Sequence, residues 1–391
     1  MIFKHQNELK QLFQYLAELL DISETQYESA KKHYEAVGTW LNSADSPIAR
    51  YSPTIYPQGS FRLGTVIKPV NDADEYDIDL VCELKNLSKD SVSQKQLKQL
   101  VGARLKTNEQ YKGMLEEGNR CWILNYSDSS RFHMDILPAI PNENEFRLLL
   151  EKSGYFNNYW VANAIAITDK SRPNYEKIDP DWPRNNPIGY AEWFKEQMKV
   201  QYDIKQALLA ESLRISIEQV PDYKIKTPLQ RSIQILKRHR DIMFAEDLNN
   251  RPISIIISTL AALSYNNEPD LLEALQNIVN NMQKHIEIKN SISWVSNPVN
   301  PFENFADKWQ NYPKQKDKFL QWIQQVKADI DQALRMEDLQ TIFENLMPCF
   351  GDRIINKSIL KLFPGIIKPT IVPAAKIPHI NIVNPNKPWG A

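Results

Sequence analysis

Two aspartates in one short segment are the residues best suited to chemistry. Asp77 and Asp79 lie in the segment YDIDL, which follows a run of turn-forming residues. In a β-strand the side chains alternate between the two faces, so both carboxylates share one face while Ile78 takes the other. Neighbouring carboxylates repel each other unless a cation lies between them. Mg²⁺ fits this place, because it prefers carboxylate oxygen together with substrate phosphate.

A third aspartate occurs in a later strand-like segment. Asp135 is flanked by Met134 and Ile136, whose apolar side chains belong on the opposite face of a strand. Taken alone, such an acid is most often an edge residue that points to water. Together with Asp77 and Asp79 it makes three carboxylates, enough to hold two Mg²⁺ ions, or Mn²⁺ in their place, about 3.5–4 Å apart. The pair of ions would activate an attacking hydroxyl and neutralise a triphosphate with its pyrophosphate leaving group.

The segment Gln58, Gly59 and Ser60 precedes the acidic pair. A Gly-Ser that opens a helix offers backbone N–H groups and a hydroxyl to a phosphate oxygen. A Gly-Ser pair elsewhere in a sequence would be interpreted as a turn; its place just before the acidic pair is what favours a phosphate site. Asp72 and Asp74 form a second D-x-D between these segments, but beside a proline and an asparagine, and we interpret them as solvated loop charges.

Hydrophobic periodicity predicts the elements that position these residues. Residues 4–42 predict one or two amphipathic helices, while residues 52–81 and 121–140 contain strand-like stretches on either side of a helical segment, 88–118. Residues 155–186 predict a long ordered loop. Longer helical patterns follow at 188–215, 228–245, 252–265, 269–286, 315–335 and 336–349.

These patterns predict an α+β protein with two domains and a tail. Residues 1–150 would form the catalytic domain with its leading helix, and residues 151–363 a mainly helical nucleotide-binding domain. Residues 364–391 contain six prolines, which exclude regular helix or central strand and predict an extended tail.

Composition narrows the function and the compartment. The formal net charge is -1, so there is no strong sign of nucleic acid binding, which usually brings a basic excess. The three cysteines are far apart in sequence and give neither a disulfide framework nor a zinc motif, which fits a reducing cytoplasm. No apolar run approaches the roughly 20 residues of a membrane helix, and no signal peptide pattern opens the chain.

Residues 58–60 with Asp77, Asp79 and Asp135 resemble the motif of the polymerase-β-like nucleotidyltransferase superfamily. Within it, the segments QGSFRLGTVIKP and EYDIDLV are most similar to the bacterial cyclic-oligonucleotide synthases of the CBASS antiphage systems, relatives of cyclic GMP-AMP synthase and oligoadenylate synthase. The resemblance covers most of the chain. It implies a palm domain of mixed sheet and helices, two Mg²⁺ ions, and synthesis of a cyclic di- or trinucleotide from nucleoside triphosphates, ATP among them. One departure is the sixteen residues between Ser60 and Asp77, more than the general pattern has.

The resemblance also implies triphosphate contacts for Lys237 and Ser254. The residues agree in part, because Lys237, Arg238 and Arg240 concentrate positive charge in one turn, and Ser254 precedes an apolar helix as an N-cap would. The alternative is a solvated basic face and a routine cap.

Other residues are weaker candidates for the site. Tyr190 is the aromatic residue best placed to contact a base, although aromatics at helical spacing are usually core. The loop 297–304 is a candidate edge of the site, and its Asn-Pro pairs are first of all turn formers. We interpret His239, between arginines, as structural.

The resemblance implies partners as well. In some similar systems an accessory conjugation enzyme joins the synthase tail to a target through its last small residue, here Ala391, and a downstream effector senses the cyclic nucleotide. A disordered or packed end is the alternative for this tail. Two other functions stay open: linear oligonucleotide synthesis or RNA 3′-end tailing by another superfamily member, and a catalytically silent nucleotide-binding module.

Overall fold

The computed structural model describes residues 4–71, 75–126, 132–155 and 159–364. The loop acids Asp72 and Asp74 lie outside these ranges, and so does the predicted tail beyond Pro364, including Ala391. The helices in these ranges are α1 Gln6–Leu20, α2 Glu24–Leu41, α3 Gly59–Leu63, α4 Gln94–Lys106, α5 Glu109–Lys112, α6 Glu143–Lys152, α7 Pro187–Gln197, α8 Lys199–Leu213, α9 Pro228–Met243, α10 Ser254–Ser264, α11 Leu271–Asn281, α12 Pro313–Arg335, α13 Leu339–Phe350 and α14 Asp352–Leu362.

A mixed sheet forms the first half of the molecule. Its strands are β1 Pro53–Pro57, β2 Tyr76–Leu84, β3 Leu115–Glu117, β4 Trp122–Tyr126, β5 Phe132–Pro141, β6 Ile165–Ile167 and β7 Arg184–Asn185. The spatial order is β1-β2-β5-β4-β3, with β6 pairing with the end of β5 and with β7. β2 and β5 run parallel, and the other neighbours are antiparallel. Two small hairpins lie in the second half, β8 Glu287–Lys289 with β9 Ile292–Trp294, and β10 Ser296–Asn297 with β11 Asn300–Asn304.

The two faces of β2 have different surroundings. Ile78, Leu80 and Cys82 are buried in the core that the sheet forms with α2 and α4. The opposite face carries Asp77 and Asp79. This alternation is the one expected of a strand with period two.

The second core joins the long helices and includes the first helix of the chain. Leu9, Phe13 and Leu16 of α1 are buried in the same cluster as residues of α9, α10, α11 and α13. The first helix is therefore part of the helical half by packing. The predicted domain boundary at residue 150 falls inside α6 (Glu143–Lys152), and the division of the sequence into domains stays a prediction.

The structure differs from several local predictions. The helix predicted over 188–215 is two helices, α7 and α8, which meet at Met198. Ser254 was expected as an N-cap, but the capping position is Ile253 and Ser254 is the first helical residue. Helices α6 and α14 were not predicted. Across the described ranges, every helix is too short or too polar to span a membrane.

Candidate active site

The three predicted carboxylates lie on one face of two adjacent strands. In the parallel pair of β2 and β5, Asp79 is opposite Asp135 and Asp77 is opposite His133. Residues paired across neighbouring strands project to the same side, and such strands are about 4.8 Å apart. Asp79 and Asp135 are only 8% and 6% exposed. The pairing of the strands therefore brings together acids that are far apart in sequence.

Gly59 lies directly against one of these acids. The Gln58 N–H donates to the Asp79 carbonyl at 2.8 Å, which fixes the start of α3 beside β2. Gly59 has φ +59°, and a Cβ there would be 2.5 Å from Asp79 Oδ2. Both the backbone conformation and the close approach require glycine. The first turn of α3 is thus held next to the acidic face.

All six predicted nucleotide-binding residues line one cleft between the sheet half and the helical half. The cleft has a volume of about 590 Å³ when the open solvent at its mouth is included. This volume is in the usual range of small-molecule sites, about 300–1,000 Å³. The predicted residues in its wall are Gln58, Gly59, Ser60, Tyr190, Lys237 and Ser254.

Lys237 is a buried lysine in this wall. Its Nζ donates to the Thr65 carbonyl oxygen at 3.0 Å and to Thr65 Oγ1 at 3.2 Å. Burial lowers the pKa of Lys237 to about 7, and the charge of Arg240 acts in the same direction. Lys237, Arg238 and Arg240 are all buried, so the alternative of a solvated basic face is wrong. A cation held away from water is suited to an anionic ligand.

Two arginines that the sequence analysis did not assign to the site lie around Ser254. Arg240 Nη1 donates to Ser254 Oγ at 2.8 Å, and Arg240 also pairs with Asp241 at 2.7 Å. Arg251 is 3.5 Å from the same Asp241 carboxylate. Burial lowers the pKa of Arg251, and the negative charge of Asp77 opposes that shift. Arg251 is therefore close enough to Asp77 for their charges to interact. In the sequence, the feature that points to Arg251 is its position just before Pro252 and helix α10.

Side chains of α9 hold the segment that leads into the acidic strand. Gln230 Nε2 donates to the Leu63 carbonyl at 3.0 Å, and Gln234 Nε2 to the Val66 carbonyl at 2.9 Å. Arg238 Nη2 donates to the Lys68 carbonyl at 2.7 Å. With Lys237, four residues of one helix bind backbone carbonyls between residues 63 and 68. The long spacing between Ser60 and Asp77 thus contains a segment anchored on the helical half.

Tyr190 contributes an aromatic wall. Its hydroxyl is hydrogen-bonded to Thr259 Oγ1 at 2.8 Å, and burial raises its pKa. Its ring packs near Trp193 and Phe305, and Phe305 also lines the cleft. The Tyr190 hydroxyl is thus already hydrogen-bonded, and its ring is the part of the side chain left to contact a ligand in the cleft.

The loop 297–304 reaches the site through one residue. Asn297 lines the cleft, and its Nδ2 donates to Glu303 Oε2 at 2.7 Å. His239, in contrast, does not line the cleft and pairs with Asp329 at 2.8 Å. Its structural interpretation is consistent with that contact.

The donor set of the acidic face fits a hard divalent cation. Its ligand atoms are carboxylate oxygens, the type that Mg²⁺ prefers. His133 lies opposite Asp77, but Nδ1 is hydrogen-bonded to Asn125 Oδ1 at 2.7 Å and Nε2 pairs with Glu75 at 2.5 Å. Both ring nitrogens of His133 are therefore already engaged.

The sheet with its three aspartates and the neighbouring cleft can be compared with solved structures, which gives the fold. The CD-NTase CdnG of Bradyrhizobium diazoefficiens, solved in complex with GTP, superposes with a TM-score of 0.68 over 90% of this chain and 99% of that one, at 21% identity. That likeness shows the fold. It confirms the predicted α+β class, with a palm sheet and a helical second half.

Sequence comparison gives the family. Residues 7–197 match the model of the Second Messenger Oligonucleotide or Dinucleotide Synthetase domain. A c-di-GMP synthase of Roseivirga ehrenbergii is 31% identical over 79% of this chain and 75% of its own length. A cyclic dinucleotide synthase, CdnG, of Bradyrhizobium diazoefficiens is 25% identical over 85% of this chain and 78% of its own. The chain belongs to this family of second-messenger synthetases and is a nucleotidyltransferase, as the sequence analysis predicted.

Proposed function

We propose that this protein condenses nucleoside triphosphates into a cyclic dinucleotide, or a cyclic trinucleotide, by two-metal phosphoryl transfer. The observation that carries the proposal is the register of β2 and β5, which sets Asp79 opposite Asp135 beside the cleft. In each step a ribose 2′- or 3′-hydroxyl attacks the α-phosphorus of a second nucleotide, a P–O bond forms, and pyrophosphate leaves. The same step within the linear dinucleotide, or within a linear trinucleotide after one more addition, closes the ring.

Asp77, Asp79 and Asp135 would hold two Mg²⁺ ions. When bound, such ions lower the pKa of an attacking hydroxyl and neutralise charge on the triphosphate. The protein supplies the positions of the carboxylates. Asp79 is fixed by strand pairing and by its contact with Gly59, so its carboxylate is set before substrate arrives.

The phosphates are assigned to the other wall of the cleft. The first turn of α3 offers backbone N–H groups and the Ser60 hydroxyl. Lys237 supplies a buried charge, and Arg240 orients the Ser254 hydroxyl through its 2.8 Å hydrogen bond. Arg251 adds positive charge near Asp77. Fixed donors of this kind stabilise the charge that builds up as pyrophosphate leaves.

The base is assigned to the wall formed by Tyr190 and Phe305. The family resemblance implies ATP among the substrates. The relative from Roseivirga ehrenbergii is named a c-di-GMP synthase, and the Bradyrhizobium structure holds GTP. We therefore propose GTP as one substrate and keep ATP as the second.

The cellular role follows from the family resemblance alone. We propose a soluble, cytoplasmic enzyme of an antiphage system, whose product binds a downstream cyclic-nucleotide-sensing effector. The conjugation of the tail through Ala391 by an accessory enzyme is part of this proposal and concerns residues outside the described ranges.

A product assay tests the function. The purified full-length protein is incubated with the four ribonucleoside triphosphates and Mg²⁺, treated with phosphatase and analysed by mass spectrometry. We expect a phosphatase-resistant product with the mass of a cyclic dinucleotide or trinucleotide that contains guanine. A product that phosphatase degrades would contradict cyclisation and favour linear synthesis. Failure to bind GTP with Mg²⁺ in calorimetry would contradict the nucleotide site itself.

A further inference from the structure

A second cluster of ligand-type side chains lies in the helical half. His239 of α9, Asp329 of α12 and Cys349 of α13 each place one ligand atom within 4.8 Å of the other two. None of the three is among the residues that line the nucleotide cleft. They come from three helices that pack on one another. The fold therefore brings together a nitrogen, an oxygen and a sulfur donor that are far apart in sequence.

The contacts within this cluster are unsuited to a nucleophilic cysteine. His239 Nε2 is 2.8 Å from Asp329 Oδ2, so the histidine is paired with the carboxylate and not with the thiol. The thiol donates to the Asn345 carbonyl at 3.3 Å. Burial, with the charge of Asp329, raises the pKa of Cys349 to about 12. An activated cysteine has a lowered pKa and is paired with a base such as histidine, whereas the pKa of Cys349 is raised and its neighbouring group is the Asp329 carboxylate.

Hydrogen bonds within the described residues also leave the histidine incompletely satisfied. His239 is 2% exposed, and its Nδ1 is buried without a hydrogen-bond partner in that part of the chain. Asp329, by contrast, accepts on both oxygens, from His239 and from Gln325 at 2.8 Å. Nε2 is the ring nitrogen that faces Asp329, and Nδ1 lies on the other side of the ring, so the case for an ion rests on the placement of the three ligand atoms.

We propose that His239, Asp329 and Cys349 bind one divalent transition-metal ion of the zinc type. A mixed nitrogen, sulfur and oxygen donor set suits Zn²⁺, which takes cysteine, histidine and carboxylate ligands. The oxygen-only acidic face of β2 and β5 suits Mg²⁺ instead. The two centres therefore select different metals. On binding, the Cys349 S–H bond breaks, a sulfur–metal bond forms and the proton goes to solvent.

The site has a structural consequence for the cleft. His239 is two residues from Lys237 on α9, the helix that also holds the segment before β2 through Gln230 and Gln234. An ion bound by three helices stabilises the folded state by binding it and not the unfolded chain. It would therefore fix α9, and with it the position of Lys237, against α12 and α13.

Cobalt(II) is the probe, because a cobalt–thiolate bond gives a charge-transfer band in the near ultraviolet. Metal-free, reduced full-length protein is titrated with Co²⁺, and we expect a band that saturates at one ion per chain. The band is expected to disappear in Cys349→Ser. In Asp329→Asn the affinity for Co²⁺ is expected to fall at least about tenfold, because loss of a metal ligand typically lowers the affinity more than loss of an outer-sphere partner does. The band is expected to persist in Asp77→Asn, which alters only the acidic face.

Two controls keep the test decisive. Circular dichroism checks that Cys349→Ser and Asp329→Asn remain folded. Zn²⁺ is expected to raise the Tm of the wild type and of Asp77→Asn by more than that of these two variants. No cobalt band in the folded wild type would show a hydrogen-bonded cluster only and overturn the proposal. An undiminished band in Cys349→Ser would overturn it as well, since the thiolate would then belong to another cysteine.

Discussion

Lys237 donates from the helical half to the Thr65 carbonyl oxygen at 3.0 Å, in the segment that leads into the acidic strand. One residue therefore belongs to the wall of the cleft and also fixes the chain that carries Asp77 and Asp79. The neighbouring donors Gln230 and Gln234 act on the same segment. The proposed substrate contact of Lys237 and the placement of the segment before the acidic strand are thus joined through α9.

Gly59→Ala is expected to abolish synthesis by displacing Asp79. The new Cβ would lie 2.5 Å from Asp79 Oδ2, and the φ of +59° adds strain of about 1–3 kcal/mol. We expect kcat to fall at least about 100-fold, as removal of a single preorganised group often does. Gly154→Ala is the matched control, because Gly154 also has a positive φ, +81°, but nothing within 4 Å of its Cβ. Equal activity loss in both variants would show a general backbone effect and refute the role assigned to Gly59.

The titration of Lys237 predicts proton uptake on substrate binding. Burial lowers its pKa to about 7, so above pH 7 the lysine of the free enzyme is largely neutral, and a bound triphosphate favours the charged form. We expect the wild type to take up close to one proton more than Lys237→Met at pH 8, and little more at pH 6. Calorimetry of GTP binding in buffers of different ionisation enthalpy measures this difference. The same uptake in both proteins would mean that Lys237 does not meet the phosphates.

Gln234→Leu tests whether α9 holds the segment before β2. The substitution removes the bonds to the Val66 carbonyl and to Asp21, at 2.9 and 2.8 Å, and leaves buried groups without partners. We expect the free energy of unfolding to fall by about 1–3 kcal/mol and kcat to fall with it. Gln340→Leu is the control, because Gln340 is exposed and, among the described residues, its side chain donates only to Glu344, one turn away. Urea denaturation measures the free energy of unfolding, and initial rates measure kcat. An unchanged kcat in a destabilised Gln234→Leu protein would show that this segment does not affect catalysis.

Tyr190 variants separate the ring from the hydroxyl. Tyr190→Phe keeps the ring and loses only the bond to Thr259, so we expect KM for the preferred nucleotide to stay within about twofold. Tyr190→Leu removes the aromatic face, and a base stacked there would lose about 1–3 kcal/mol, or roughly a 5- to 150-fold rise in KM. Steady-state kinetics of both variants give the answer. A large effect of the phenylalanine variant would mean that the hydroxyl, and not the ring, is what the substrate needs.

The sequence predicted the acidic face because the relevant rule is local. Alternation along a strand is enough to place Asp77 and Asp79 on one side. It does not give the pairing of Asp79 with Asp135, which depends on the parallel register of strands far apart in the chain. The sequence groups Asp135 with the pair as a third carboxylate, but neither its residues nor the family resemblance gives the register. The assigned roles of these residues stay predictions, since neither the fold nor the relatives test them.

The unpredicted features are those made by long-range contacts. Nothing in the sequence shows that Gln230 and Gln234 reach the carbonyls of residues 63 and 66, because a polar side chain on a helix has no preferred distant partner. Arg251 was missed for the same reason, since its relation to Asp77 exists only in the folded chain. Hydrophobic periodicity also does not predict that α1 packs in the helical core. It shows that a helix has an apolar face, but it does not show which core covers that face.

The carboxylates of the paired strands are proposed to make formation of the phosphodiester bonds possible. Asp77→Asn keeps the size of the side chain and removes its charge, and Asp317→Asn makes the same change at an exposed position of α12. Both proteins are incubated with GTP, ATP and Mg²⁺ beside the wild type, with circular dichroism as the check of folding, and the nucleotide products are measured by mass spectrometry. We predict wild-type amounts of cyclic product from Asp317→Asn and none from a folded Asp77→Asn. Cyclic product from Asp77→Asn at a rate near that of the wild type would contradict the proposed role of the carboxylates.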